Sequence, residues 1–206
     1  MDPLYPVMLH LAGKHVVVVG GGVIATRKVM GFLEANASIT VVSPQVTERL
    51  QFLIEEGTID WRKKLFTDDD VEDAFMVVAA TNNRELNCMI RESCQSTQLF
   101  LSIDDPLQSD FVVPSVIRRG KLTLAVSTGG ASPKLAAKIR RELENMYDDT
   151  YEAYVEFLYE CRQVILSKVS DPSVKSKLLA EIIDDRFRLA SNRDELFQQL
   201  LDESME

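Results

Sequence analysis

Four consecutive valines, Val16, Val17, Val18 and Val19, begin the regular part of the chain. An unbroken apolar run of that length reads as a strand buried on both faces. Gly20, Gly21 and Gly22 follow, and residues 27–35 continue at helical spacing. The alternation then repeats. Residues 39–42 predict a second strand closed by Ser43-Pro44, residues 52–57 end a short helical piece, and residues 59–62 alternate as a strand. Residues 68–73 form an acidic turn entering a helix. Residues 75–80 predict another buried strand stopped at Thr81-Asn82-Asn83. Residues 85–96 predict a helix, and residues 99–103 a fifth strand ended by Asp104-Asp105-Pro106. Strands alternating with helices at these lengths predict βαβ units and a parallel, doubly wound α/β sheet of Rossmann type.

After residue 110 the pattern changes. Residues 111–113 and 122–126 read as strands of an antiparallel hairpin around an Arg119-Gly120 turn, and residues 127–130 as a polar loop. Ser132-Pro133 supplies an N-cap and a proline at the first helical position. Behind it Leu135, Ile139 and Leu143 share one helix face, and Lys134, Lys138 and Arg141 another. The last sixty residues read as helical, with Tyr151, Tyr154, Val155, Leu158, Cys161 and Ile165 at core spacing and a second amphipathic stretch over 174–183. The expected organisation is a nucleotide-binding Rossmann domain over 1–112, a small α/β segment over 113–147, and a helical domain over 148–206.

The chemistry begins at the glycines. Gly20, Gly22 and Ala25 form the G-x-G-x-x-A dinucleotide fingerprint in its proper setting of strand, turn and helix. Gly20 permits the tight turn, Gly22 lets backbone approach a pyrophosphate, and Ala25 keeps the helix near the sheet, while the helix start at Val23 and Ile24 offers free N–H groups. In a sheet of this kind ligand lies beyond the carboxyl ends of the strands. Ser43, Pro44, Gln45, Thr81, Asn82 and Asp104 fall at such ends. The acidic residue that holds the ribose 2′-hydroxyl in most NAD folds is replaced here by Ser43-Pro44-Gln45, and no arginine follows to grip a 2′-phosphate, so NAD is preferred to NADP.

Composition narrows the options. The 206 residues carry a net charge of −9. That figure hides a basic island: residues 1–113 and 148–206 are each net −7, whereas residues 114–147 are net +5. The island is either a solvated helix face and turn, or an electropositive wall for a polyanionic small molecule or a partner subunit. With no aromatic residue before Tyr147, the island does not suit nucleic acid. Residues 1–6 lack the basic and apolar regions of a signal peptide, and no run approaches a membrane span. Three widely spaced cysteines fit a reduced, cytoplasmic protein. His10 and His15 are too few for a His-rich metal site, so no resident metal is expected. Asp104 and Asp105 are either turn formers before Pro106 or a general base facing a nicotinamide. Without a Ser–His or Cys–His pairing, the inventory suits hydride chemistry with no covalent intermediate.

These residues resemble the precorrin-2 dehydrogenase family, also known as the siroheme synthase amino-terminal module. The matching elements are residues 20–28, 79–82, 104–106, 111–115, 118–120 and 125–133, an ordered set that covers roughly residues 1–145. The resemblance implies NAD-dependent oxidation of precorrin-2 to sirohydrochlorin, on the route to siroheme, by a homodimer with a dimerisation segment and a helical tail. It places the family's functional aspartate on Asp104, and its loop serine, phosphorylated in some members, on Thr128. Leu101 stands where the family commonly has an asparagine. Precorrin-2 is a polycarboxylate, for which Arg118, Arg119, Lys134 and Lys138 are the expected counterparts. Dimerisation is expected through 113–146, with the helix from Ser132 across the twofold axis. Two alternatives stand beside this reading: a bifunctional dehydrogenase and ferrochelatase using Asp104 for both steps, and a module that senses NAD without catalysis.

Overall fold

A computed structural model describes residues 4–204. The chain divides into two compact units, residues 1–113 and 114–206. In the first, five parallel strands lie in the order β3-β2-β1-β4-β5. They are β1 (His15–Val19), β2 (Ser38–Val42), β3 (Asp60–Arg62), β4 (Met76–Ala79) and β5 (Leu99–Ser102). Helices α1 (Val23–Leu33), α2 (Glu48–Glu55) and α3 (Arg84–Ser93) connect them, and Asp68–Val71 is a single 3₁₀ turn rather than the start of a helix.

The valine run explains itself in this sheet. Val16 and Val18 join Ala25, Val29, Leu50 and Leu53 in a core beneath α1 and α2. Val17 and Val19 join Val71, Ile90 and Phe100 in a second core on the opposite face. Successive side chains of a strand point to opposite faces, so a central strand covered on both sides must be apolar throughout. Full burial of each such side chain contributes roughly 1.5–3 kcal/mol. His15 is half-buried, and its Nε2 lies 2.9 Å from the Thr40 Oγ1 of the neighbouring strand.

Residues 111–113, expected as a strand, form none. Just before them, residues 109 and 110 satisfy the outer edge of β5. The Phe100 N–H donates to Asp110 Oδ2 (2.8 Å) and the Ser102 N–H to Ser109 Oγ (2.9 Å), while the Asp110 N–H donates back to the Phe100 carbonyl (2.9 Å). Phe111 then packs on the first core. A bidentate Arg91–Asp110 pair, at 2.8 and 2.9 Å, holds that return in place.

In the second unit the hairpin consists of β6 (Ser115–Arg119) and β7 (Leu122–Val126), paired from Ser115↔Val126 to Arg119↔Leu122. Its two-residue turn is Gly120-Lys121, one position beyond the expected Arg119-Gly120, with Gly120 at φ +54°. Helix α4 (Pro133–Met146) starts as expected, the Ser132 hydroxyl accepting the Leu135 N–H at 3.3 Å. Among the described residues, 148–204 hold four helices: α5 (Thr150–Lys168), α6 (Pro172–Glu181), α7 (Asp185–Leu189) and α8 (Arg193–Glu203). Asp171 and Asp184 cap α6 and α7 and set two of the breaks. Tyr154, Phe157, Cys161, Ile165, Leu178, Phe187 and Phe197 form the helical core. The hairpin and α5 belong to one unit, joined by Lys121–Glu156 and Arg119–Asp149 ion pairs. The expected boundary at 147/148 therefore separates parts of a single compact body.

Candidate active site

The carboxyl ends of four strands lie level. Val42 pairs with Val19, Val19 with Ala79, and Ala79 with Ser102. With strands about 4.8 Å apart, the end of β1 and the end of β5 are about 10 Å from each other. The order of connection reverses between β1 and β4, which is where a doubly wound sheet opens its crevice.

Each glycine of the fingerprint has its own reason. Gly20 has φ +119°, and a Cβ there would strike the Ala80 carbonyl. Gly22 is the N-cap of α1, exposed and extended (φ −83°, ψ −172°), and a Cβ there would meet nothing within 4 Å. Gly21 carries a constraint that the fingerprint spacing does not announce: a Cβ on it would collide with the Gln45 carbonyl. The Thr47 N–H donates to the Gly21 carbonyl at 3.0 Å, and the Thr26 and Thr47 hydroxyls bond at 2.8 Å, so the glycine turn and the loop after β2 are locked together.

A dinucleotide fits this end of the sheet. No side chain caps α1 and its first turn holds no acid, so its N–H groups face open space at Gly22. Val23 and Ile24 are exposed although apolar, and Ala25 is fully buried against the sheet. After β2, Ser43 Oγ donates to the Gln45 carbonyl at 2.7 Å, with Pro44 and Gln45 exposed beside it. No carboxylate precedes Glu48, which lies in the first turn of α2. Arg62 and Lys64, at the neighbouring strand end, are held by the fully buried Asp70 carboxylate at 2.9 and 3.0 Å.

At β4, Thr81 does not present a free hydroxyl. Its Oγ1 donates to Asn87 Oδ1 (2.6 Å) and lies 3.1 Å from the Asn83 carbonyl, while Asn82 is exposed next to it. Asn83 caps α3 by accepting the Leu86 N–H.

The two aspartates after β5 have different surroundings. Asp105 is the turn former: its carboxylate accepts the Leu107 N–H at 3.1 Å and pairs with Arg84 at 3.4 Å. Asp104 is exposed and accepts from Ser102 Oγ at 2.5 Å. The Ser102 hydroxyl, against a smaller opposing effect of burial and with help from the Asn87 amide and the Arg84 charge, holds the Asp104 carboxyl below the usual carboxylate range. Ser102 and Asn87 are the residues the sequence did not flag; a polar residue on the buried face of α3 was the only signal. Leu101 is in the apolar core.

Other chemistry is less available. Burial pushes the Cys94 thiol up to about 11 and the Cys161 thiol up to about 12, far from a thiolate nucleophile. Among the described residues no group of three or more His, Cys, Asp or Glu side chains could hold a metal ion. Nor is any of their helices long and apolar enough to cross a membrane.

The basic island is partly neutralised within its own unit. Arg119, its side chain 17% exposed, lies 3.0 Å from Asp149; Lys121 pairs with Glu156, Lys138 with Glu142 at 3.7 Å, and Arg140 with Glu144 at 2.9 Å. Lys134 and Arg118 are exposed. Thr128 is half-buried, and its Oγ1 accepts the Ser132 N–H at 3.0 Å in the turn before α4.

Comparison with known proteins matches three stretches of the chain. A family model described as NAD(P)-binding matches residues 7–115, one for the central region of a sirohaem biosynthesis protein matches 119–146, and a SirC C-terminal domain model matches 151–197. A precorrin-2 dehydrogenase of Priestia megaterium is 38% identical over 199 residues, covering 97% of this chain and 98% of that protein. One from Bacillus subtilis is 34% identical over 160 residues, 78% of this chain and 99% of that protein. Siroheme synthase 3 of Aeromonas hydrophila is 36% identical over 82% of the chain, which spans only 36% of that longer protein. The solved structure of SirC, a precorrin-2 dehydrogenase, superposes with a TM-score of 0.83 at 38% identity, covering 97% of this chain and all of that one.

Proposed function

The chain belongs to the precorrin-2 dehydrogenase family, and on that premise we propose that it oxidises precorrin-2 to sirohydrochlorin in siroheme synthesis, with Asp104 as the proton acceptor. The observation that carries the role of Asp104 is its separation from Asp105. One carboxylate builds the turn, while the other is exposed at a strand end and held ionised.

The oxidation removes one hydride and one proton from the tetrapyrrole. Bound NAD supplies the hydride acceptor. Gly20, Gly22 and the N-terminus of α1 would hold its pyrophosphate, with Ser43, Pro44, Gln45, Thr81 and Asn82 as the residues at the neighbouring strand ends that would contact the rest of the cofactor. Arg62 and Lys64, at the neighbouring strand end, are drawn onto Asp70 rather than left for a 2′-phosphate, which favours NAD over NADP.

Asp104 takes the proton. A carboxylate of lowered pKa is a weak base, yet it is in its proton-accepting form throughout the neutral range. Departure of a hydride leaves a cation whose adjacent proton is strongly acidic, so a weak base suffices. Ser102 and Arg84 keep the carboxylate charged until then.

The substrate's carboxylates need cations. Lys134, Lys138 and Arg118 are exposed and supply them, whereas the Arg119 side chain is largely buried beside Asp149. Thr128 shapes the loop that precedes α4. Leu135, 47% exposed, continues with Ile139 and Leu143 as an apolar row on α4 that supports homodimerisation through this segment. Three free cysteines suit a cytoplasmic setting.

Incubation of the purified protein with precorrin-2 and either NAD or NADP, followed by absorbance, tests the reading. Conversion to sirohydrochlorin dependent on NAD is expected; absence of conversion with both cofactors contradicts it.

A further inference from the structure

Ser43 is the first residue beyond β2, whose last pair with β3 joins Val42 to Arg62. Its N–H still reaches the Arg62 carbonyl at 3.3 Å, but β3 ends there and offers no strand residue to the Ser43 carbonyl. A backbone carbonyl in such a place takes its hydrogen bond from elsewhere. The donor is the indole of Trp61, whose Nε1–H reaches the Ser43 carbonyl at 2.9 Å. Trp61 is the only tryptophan of the chain and the middle residue of β3, opposite Val41. Its half-buried ring packs on the core beneath α1 and α2, with the Lys63 ammonium 5.2 Å from its centroid, so the direction of the N–H is set by packing.

The next residue makes this bond matter. Pro44 has no N–H, so the carbonyl is the only group by which a hydrogen bond can hold the plane of the Ser43–Pro44 peptide. A turn of that plane would move Ser43 relative to Gln45, and the two are linked: Ser43 Oγ donates to the Gln45 carbonyl at 2.7 Å. Both the Ser43 hydroxyl and the Gln45 carbonyl lie against Gly21, where a Cβ would meet them. With its proton directed at Gln45, the Ser43 hydroxyl keeps lone pairs that can accept from a ribose hydroxyl. We propose that Trp61 is a positioning residue for the cofactor: through the Ser43 carbonyl it fixes the Ser43 hydroxyl where the ribose of NAD would meet it. This rests on the reading of the glycine turn and the loop after β2 as the nucleotide site.

Two replacements remove the N–H and keep a ring in place. Trp61→Phe is the simpler. Because there is a single tryptophan, the isostere with sulfur in place of the indole N–H, benzothienylalanine, can be placed at this position alone and retains the bicyclic volume. In both proteins the Kd for NAD by calorimetric titration, and KM for NAD with precorrin-2, should rise roughly threefold to tenfold, the size of one neutral hydrogen bond. At saturating NAD, kcat should stay near the parent's, as should the melting temperature of the isostere protein.

Each replacement is also made in a Ser43→Ala background. The proposal expects its effect on the Kd for NAD to shrink there to less than about twofold, because the hydroxyl that Trp61 positions is gone. An NAD affinity unchanged by both replacements, or an equal loss in both backgrounds, overturns the role of Trp61. So does a lower melting temperature or kcat at unmoved NAD affinity, which marks a residue that only supports the fold. These outcomes leave the nucleotide site standing; NAD affinity equal to the parent's in Gly22→Asp overturns that reading itself.

Discussion

Ser102 Oγ donates to Asp104 Oδ1 across 2.5 Å, from the last residue of β5 to an exposed carboxylate two positions on. The bond uses the geometry of a strand end, where the chain turns and residues i and i+2 fall on the same side. It separates two adjacent aspartates that look alike in sequence. Asp104 is turned towards donors that keep it charged, and Asp105 is turned into the backbone of the next turn.

The two aspartates should therefore fail differently. Asp105→Ala removes the acceptor for the Leu107 N–H and the partner of Arg84. Loss of such a cap costs about 1 kcal/mol. Thermal unfolding should shift down by a few degrees while turnover stays within a few-fold of the parent; a large loss of kcat at unchanged melting temperature would contradict this assignment.

The glycines make a second contrast. Gly21→Ala places a Cβ against the Gln45 carbonyl and should destabilise the nucleotide-binding unit. Gly22→Asp enters open space, so the fold should survive, while bulk and negative charge at the N-terminus of α1 abolish NAD binding. Calorimetric titration and melting curves on both variants check the pair. Tight NAD binding by Gly22→Asp would show that the pyrophosphate lies elsewhere.

Asp70 is predicted to set part of the acid sensitivity of the first unit. Burial works against its ionisation, but the Thr67 N–H, the Arg62 guanidinium and the Lys64 ammonium outweigh it, and its pKa falls below the ordinary 3.8. A carboxylate with a depressed folded-state pKa stabilises above its unfolded value, and that contribution is lost as pH falls through the folded value. Asp70→Asn should cost about 2 kcal/mol or more near neutrality, in line with charged hydrogen bonds of this kind. The deficit should shrink as the pH is lowered below about 4. Urea denaturation at pH 7 and at pH 3 reads the difference; an equal deficit at both would contradict it.

Much of this architecture is written in local pattern. The valine run, the glycines and Ser132-Pro133 act within a few residues, and each element they announce is present. What the pattern does not reveal depends on partners further away in the chain. Gly21 is constrained by Gln45, Asn87 by Thr81 across the turn before α3, and Asp110 by the edge of β5 seen from Phe100. The same distance effect alters the basic island. Its net charge is plain in sequence, but Asp149 and Glu156, which neutralise Arg119 and Lys121, lie 30 and 35 positions on.

The proposed dimerisation through α4 predicts a specific sensitivity. Leu135→Glu and Ile139→Glu together place charge in the middle of the apolar row and should yield a folded monomer. Sedimentation velocity at micromolar concentration distinguishes the outcomes. An unchanged sedimentation coefficient, whether monomeric or dimeric in both proteins, would remove α4 from the interface.

The most direct test of the account is the turnover of precorrin-2 by Asp104→Asn at saturating NAD, measured beside its melting temperature and NAD affinity. The substitution keeps the shape and removes the basic oxygen. Loss of a general base costs about 10²–10⁴ in rate, so kcat should fall by at least a hundredfold while NAD affinity and stability stay near those of the parent. Turnover equal to the parent's would contradict the assignment of proton transfer to Asp104.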